Sequence, residues 1–234
     1  GGLEDRAFGG RIVSRRLPCL CIMGEDDFES IDLRLKSIRS QFQNYSPVEH
    51  GAIIPVPNIG NMQLVRRNYA NQIEPTEVME WLERQIKGFI ASHNEVGFIA
   101  IDTFSSLLPV NANSPEEVQS ALSLLTSIAA RNDVCIIVTH HLRKEKLDDS
   151  SNDALRASIR GSSAVVDGVR AAYVLHKMKV TEAADIRKEL GLDGDGEVVQ
   201  LSLVTVTTAS CASPSEVTRF TKPFIIPRNA PSAE

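Results

Sequence analysis

"EVGFIAIDTFSSLLPV", residues 95–110, decides how the chain is read. A short apolar run, Phe98-Ile99-Ala100-Ile101, stops at Asp102, and Thr103 opens a loop. Such a run reads as a buried strand with a carboxylate at its C-terminal tip. In a parallel sheet covered by helices, ligands sit at those tips. An aspartate placed there can hold the waters of a phosphate-bound Mg2+, or simply cap a turn.

The flanking segments supply the rest of the sheet. LPCLCIM (17–23) and VCIIVT (134–139) are continuous apolar runs, and residues 51–56 form a shorter strand. Phe28, Ile31, Leu35, Ile38 and Phe42 recur every three or four residues, one apolar face of a helix over 28–42. A second helix over 76–92 turns Val78, Trp81, Leu82, Ile86, Phe89 and Ile90 inward. Ser114-Pro115-Glu116-Glu117 reads as a helix start, with Ser114 as N-cap and Glu117 closing a capping box. Val118, Leu122, Leu125, Ile128 and Ala129 continue that face.

Residues 57–75 lack a clear period and read as a long loop; 142–158, polar and mixed in charge, read as another. AAYVLHKM (171–178) is a strand, followed by a short helix near 182–190. VVQLSLVTVT and RFTKPFII read as antiparallel strands before a frayed tail, PRNAPSAE. The alternation of strand and helix predicts an α/β fold, a mostly parallel sheet with helices on both faces and a C-terminal β extension. Residues 1–180 form the core in this reading, and 181–234 the extension and tail of the same domain.

Composition sets the outer limits. The 234 residues are 42% hydrophobic and 24% charged, an ordinary globular balance. No apolar run approaches the roughly 18 residues that cross a membrane, and no basic, apolar start marks a secretion signal. A net charge of −5 argues against a strongly basic nucleic-acid module, though not against DNA held inside a ring or by a few loops. Cys19, Cys21, Cys135 and Cys211 make no CxxC and no ligand spacing with histidine. They read as buried free thiols of a cytoplasmic protein.

Three sets of residues can carry chemistry. Glu25, Asp26 and Asp27 follow the first long strand; Asp26 and Asp27 suit the start of a helix, and Glu25, nearest the tip, is suited equally to general-base work. His140-His141 end the strand at 134–139, where a polar sensing role competes with a structural one. Zinc lacks a third and fourth ligand at typical spacing. Arg156, Arg160 and Arg170 surround a Gly-Ser-Ser turn, and an exposed Arg160 is placed to stabilise phosphate charge in its own subunit or a neighbour.

In order and spacing, GEDD (24–27), GFIAIDT (97–103), VTHH (138–141) and RGSSAVVDGVR (160–170) resemble the RecA-like ATPases of the RepA type. These are plasmid-encoded hexameric replicative helicases and their phage and chromosomal relatives, often grouped with AAA-family ATPases. The resemblance covers roughly residues 15–180. It implies a RecA-like P-loop NTPase core that uses ATP and Mg2+, a homo-oligomeric ring such as a hexamer, and single-stranded DNA as partner. It assigns Glu25 as catalytic glutamate and Asp102 as the Walker B aspartate, holding Mg2+ through water. His140 becomes the γ-phosphate sensor, with His141 as second choice, and Arg160 a finger acting across the subunit interface.

Two departures accompany it. The family's GxxxxGK[ST] phosphate loop is not found in the 234 residues; Gly9-Gly10-Arg11 leads to no Gly-Lys-Ser/Thr. The register places residue 1 just downstream of that loop, so the expectation is a fragment, inactive alone. TVTTASCASP (205–214) also lacks the Lys-x-Asn pattern of the family's late strand. The alternative expectation is a non-catalytic RecA-like accessory subunit that docks on an intact ATPase and lends it Arg160.

Overall fold

The computed structural model describes residues 6–7, 11–12, 17–40, 51–55, 62–93, 95–143, 151–161, 163–177, 180–189, 197–206 and 223–226. In chain order the elements are β1 (Arg6–Ala7), β2 (Arg11–Ile12), β3 (Cys19–Met23), α1 (Phe28–Ser40), β4 (Gly51–Pro55), β5 (Val65–Arg67), β6 (Ile73–Pro75), α2 (Glu77–Ser92) and β7 (Ile99–Asp102). They continue with α3 (Phe104–Leu107), α4 (Pro115–Asn132), β8 (Ile136–Val138), α5 (Asn152–Ser158), α6 (Ala164–Asp167), β9 (Ala171–Lys177), α7 (Val180–Glu189), β10 (Glu197–Val206) and β11 (Pro223–Ile226).

The central sheet has the order β4-β3-β7-β8, and every pair in it is parallel. Leu20 lies level with Ala52 on one side and Ile99 on the other. One face of the sheet, carrying Leu20, Ile22, Ile99 and Ile101, is buried; on the other Cys19 is buried while Cys21 and Ala100 are half-buried. The core joins Leu20, Ile22, Ile99 and Ile101 to one stripe of α2 (Met79, Leu82, Ile86, Phe89) and one of α4 (Val118, Ala121, Leu122, Leu125, Ile128). Each such side chain contributes about 1.5–3 kcal/mol on burial. Thr76 caps α2 by accepting from Val78 N, and Ser114 caps α4 by accepting from Glu117 N. Asp133, left-handed at φ 50°, ends α4.

A second, antiparallel sheet has the order β11-β10-β9. Leu155, Val166, Val174 and Val204 form a smaller core beside it.

Five readings need correction. Residues 142–158 are not all loop: α5 (Asn152–Ser158) is a helix that Ser151 caps by accepting from Ala154 N, and its seven residues are too few to show a helical period. Residues 57–75 are not all loop: β5 and β6 pair as an antiparallel hairpin rooted by buried Leu64 and Val65. Three-residue strands are too short to show a period. Phe28 is 69% exposed because it is the first residue of α1 and points beyond the core. Glu117 does not return to the N-cap; its carboxylate accepts from Asn111 N (2.9 Å) and from Arg67 (2.5 Å), the hairpin guanidinium outcompeting the local box. Cys135 is exposed and Cys21 half-buried: Cys21 lies level with half-buried Ala100 and, through it, with exposed Ile137, on the less covered face of the sheet. Phe42, loop residues 144–150, the stretch 207–214 with Cys211, and the tail 227–234 lie outside the described residues.

Candidate functional site at the strand tips

β3, β7 and β8 end side by side. Met23 is level with Asp102, and Ile101 with Val138, so the residues that follow each strand converge on one edge. Gly24 makes the approach close. Its N–H donates to Asp102 O (2.5 Å), and a Cβ at this position would lie 2.7 Å from Ser106 Oγ and 3.0 Å from Leu107 Cγ. Only glycine brings the chain this near to α3. The Asp102–Thr103 peptide is cis.

Glu25 is clamped by two groups on one oxygen. Thr103 Oγ1 donates to Oε1 at 2.6 Å, and His141 Nε2 lies 3.0 Å from the same atom. Among the described residues Oε2 has no protein partner. The Thr103 hydroxyl is the main reason that the carboxyl titrates below its ordinary range; burial opposes this, and His141 adds to it through its hydrogen bond and charge. Glu25 is therefore a carboxylate at neutral pH.

Asp102 is held in the same manner. Thr139 Oγ1 donates to Oδ1, leaving Oδ2 without a protein partner among the described residues. Thr139 reaches it because β7 and β8 are in register, Thr139 N donating to Ile101 O at 3.0 Å.

His140 points elsewhere. Its Nε2 is 2.7 Å from Arg160 O, and its ring meets Phe104 edge-on at 5.2 Å. Nδ1 is buried without a partner among the described residues. Burial pushes its pKa below the ordinary value, partly offset by the Arg160 carbonyl. Arg160 N in turn donates to His141 O at 3.1 Å, so the Gly-Ser-Ser turn is tied to the tip of β8. The turn needs Gly161: φ is +103°, and a Cβ there would lie 2.6 Å from Ala112 O. The Arg160 side chain is exposed, whereas Arg156 pairs with Asp167.

The structure thus brings Glu25, Asp102 and His141 to one edge through Thr103 and Thr139, and places His140 on the backbone of Arg160. Asp27 caps α1, accepting from Ser30 N at 2.7 Å, and Asp26 pairs with Arg34. Thr103 and Thr139 are the functional residues that sequence reading passed over. The signal was present: each is the hydroxyl next to a strand-tip acid or histidine in "IDT" and "VTHH".

Among the described residues no three His, Cys, Asp or Glu side chains gather as a metal cage. Mg2+ keeps several waters and takes one or two carboxylates beside substrate phosphates, and Asp102, steadied through Oδ1 and open at Oδ2 among the described residues, fits that requirement. No helix among the described residues is long and apolar enough to cross a membrane.

A family model described as an AAA domain matches residues 3–146. Among solved structures, a DnaB-like replicative helicase, reported with its interactions with primase, aligns at a TM-score of 0.50 and 10% identity, over 81% of this chain and 46% of that one. A KaiC-like protein from the hyperthermophilic archaeon Pyrococcus horikoshii OT3 aligns at 0.46 and 13%, over 90% and 76%. The chain spans less than half the length of the helicase chain it resembles. No curated protein matches. The fold is that of the RecA-like P-loop ATPases.

Proposed function

The chain belongs to the AAA-domain family, and from that premise we propose that it is the ATP-hydrolysing core of a RepA-type replicative helicase or a related DNA motor that works as a ring on single-stranded DNA. The observation that carries the reading is the clamp on Glu25, whose Oε1 takes both hydrogen bonds and leaves Oε2 oriented and open. A carboxylate so held, ionised at neutral pH, is suited to orient water and accept its proton. Bound Mg2+ and ATP supply the reacting phosphate and the charge that polarises it. Asp102 would hold the metal's waters through Oδ2. His141, on Glu25, takes the sensing role, and His140 positions the Arg160 turn. Arg160 reaches toward a neighbouring subunit. The lysine and amides of a GxxxxGK[ST] loop are not among the 234 residues, and no role here depends on them.

The test is ATP turnover by the protein that carries this segment. Glu25→Gln leaves nucleotide affinity nearly unchanged and lowers turnover by about 10²-fold or more, the scale of a lost general base. Full turnover in that variant would move the base elsewhere. Mixing Arg160→Ala with Glu25→Gln subunits restores activity, because some mixed interfaces hold one intact copy of each residue. If the intact protein never turns over ATP but stimulates a separate ATPase through Arg160, the accessory-subunit reading replaces this one.

A further inference from the structure

Ile101 and Val138 are level in the sheet, so one residue further on Asp102 and Thr139 come abreast and share a face. By the two-residue alternation it is the face of half-buried Ala100 and of Ile137, which is 43% exposed. The Thr139 hydroxyl is therefore open to water, and its bond to Asp102 Oδ1 competes with solvent. Such a bond adds little to stability. Its effect is on direction: with Oδ1 held, the carboxylate cannot turn freely, and Oδ2 keeps one bearing.

The hydroxyl that does this is itself well fixed. Thr139 N donates to Ile101 O (3.0 Å), Thr139 O accepts from Phe104 N (2.8 Å), and the side chain takes Asp102. All three bonds end on residues 101–104, so the tip of β8 and the turn after β7 hold together as one unit. A β-branched side chain has few choices of χ1, so the pinned backbone sets where the hydroxyl points.

Glu25 draws on other donors. Thr103 Oγ1 donates to its Oε1 at 2.6 Å, and His141 Nε2 lies 3.0 Å from the same atom. Thr103 is buried, whereas Thr139 is exposed. The two acids thus hang on two different hydroxyls, one after β7 and one after β8, and among the described residues they share no donor. Their duties can be separated. Mg2+ demands near-ideal octahedral geometry, so a carboxylate that swings binds it poorly even at full charge. Removing a group that orients a metal's carboxylate costs about 10–100-fold in affinity.

We propose that Thr139 is a positioning residue that sets the divalent-cation affinity of the site through Asp102, separately from the Thr103 hydroxyl, which positions Glu25. The inference rests on the nucleotide reading given above and assigns one step of it to a residue outside the acids and histidines.

The test titrates Mn2+ into the protein that carries this segment, with ADP present, and follows the free-ion signal by electron paramagnetic resonance. Thr139→Val weakens Mn2+ binding about 10–100-fold with little change in the thermal melt, and Thr139→Ser restores most of the affinity. Thr103→Val lowers ATP turnover but keeps Mn2+ affinity near that of the unsubstituted protein. The turnover that Thr139→Val loses at low Mg2+ returns as Mg2+ is raised, and the turnover that Thr103→Val loses does not. Equal Mn2+ affinity in Thr139→Val and the unsubstituted protein overturns the proposal and leaves the nucleotide reading standing. So does an affinity that falls alike in the Thr139→Val and Thr103→Val proteins, or one that serine fails to restore. An unsubstituted protein with no ADP-dependent Mn2+ site removes the nucleotide reading, and the proposal with it.

Discussion

Replacing Thr103 by valine keeps the shape of a side chain that is 5% exposed and removes one hydroxyl. Two kinds of contact are lost. The first is the bond to Glu25 Oε1 at 2.6 Å. Hydrogen bonds to charged groups contribute about 1.5–3 kcal/mol, but the Glu25 side chain is 38% exposed, so water and screening reduce this to about 1 kcal/mol. The second is contact with the hydroxyls of Ser105 (3.2 Å) and Ser106 (3.3 Å), neutral partners that add about 1 kcal/mol. The expected loss is about 2 kcal/mol at pH 7. Acid separates the two parts. The Glu25 carboxyl titrates below its ordinary 4.5 in the folded protein, so the unfolded chain takes up the proton first. The stabilisation it brings is complete above about 4.5 and disappears as pH falls through the lowered folded value. The neutral part does not titrate. Urea melts of both proteins should show a constant difference above pH 4.5 that shrinks toward about half as pH falls through the lowered folded value, and Thr103→Ser should restore most of the stability. A difference that stays constant through that fall, or that shrinks equally in a Glu25→Gln background, would refute the clamp.

Three further changes probe the surrounding frame. Gly161→Ala should cost about 1–3 kcal/mol for its left-handed backbone alone, with the clash on Ala112 O added, and a thermal melt that does not move would show that the turn relaxes freely. His140 titrates below its ordinary 6.5 because it is partly buried; stability should fall as pH drops through 6.5 toward the folded value, and His140→Gln should flatten that slope in urea titrations. Glu83, held at about 2 chiefly by Arg131 and also by Lys87 and Asn132, links α2 to α4, and Glu83→Gln should cost about 1 kcal/mol or less, read as a shift in urea midpoint and smaller in an Arg131→Ala background.

The central sheet was legible because β3 and β7 are buried on one face and at least half-buried on the other, and are therefore spelled as apolar runs, CLCIM and FIAI. The helices were legible because their stripes survive packing: Leu82, Ile86 and Phe89 are buried as their spacing requires. The β5–β6 hairpin was not, since only Leu64 and Val65 of it enter the core, and two apolar neighbours define no period. The acids followed a similar division. Glu25 and Asp102 could be placed at strand tips from the pattern alone, but which histidine meets Glu25 depends on how the chain turns after Thr139, and that is set by the Arg160 carbonyl some twenty residues downstream.

The register of β3 has a consequence for biogenesis. Leu20 waits for Ile99, about eighty residues later in the chain, before its second ladder forms. At translation speeds of about 5–20 residues per second, the interval is on the order of 4–16 s. Of its two partners among the described residues, β4 is available sooner, and a parallel pair closed over so long a loop is slow to form. For those seconds CLCIM is an uncovered strand on a nascent chain, where trigger-type holdases and like strands on neighbouring ribosomes compete for it. Soluble yield should therefore respond to elongation rate and chaperone supply more than to the stability of the finished fold.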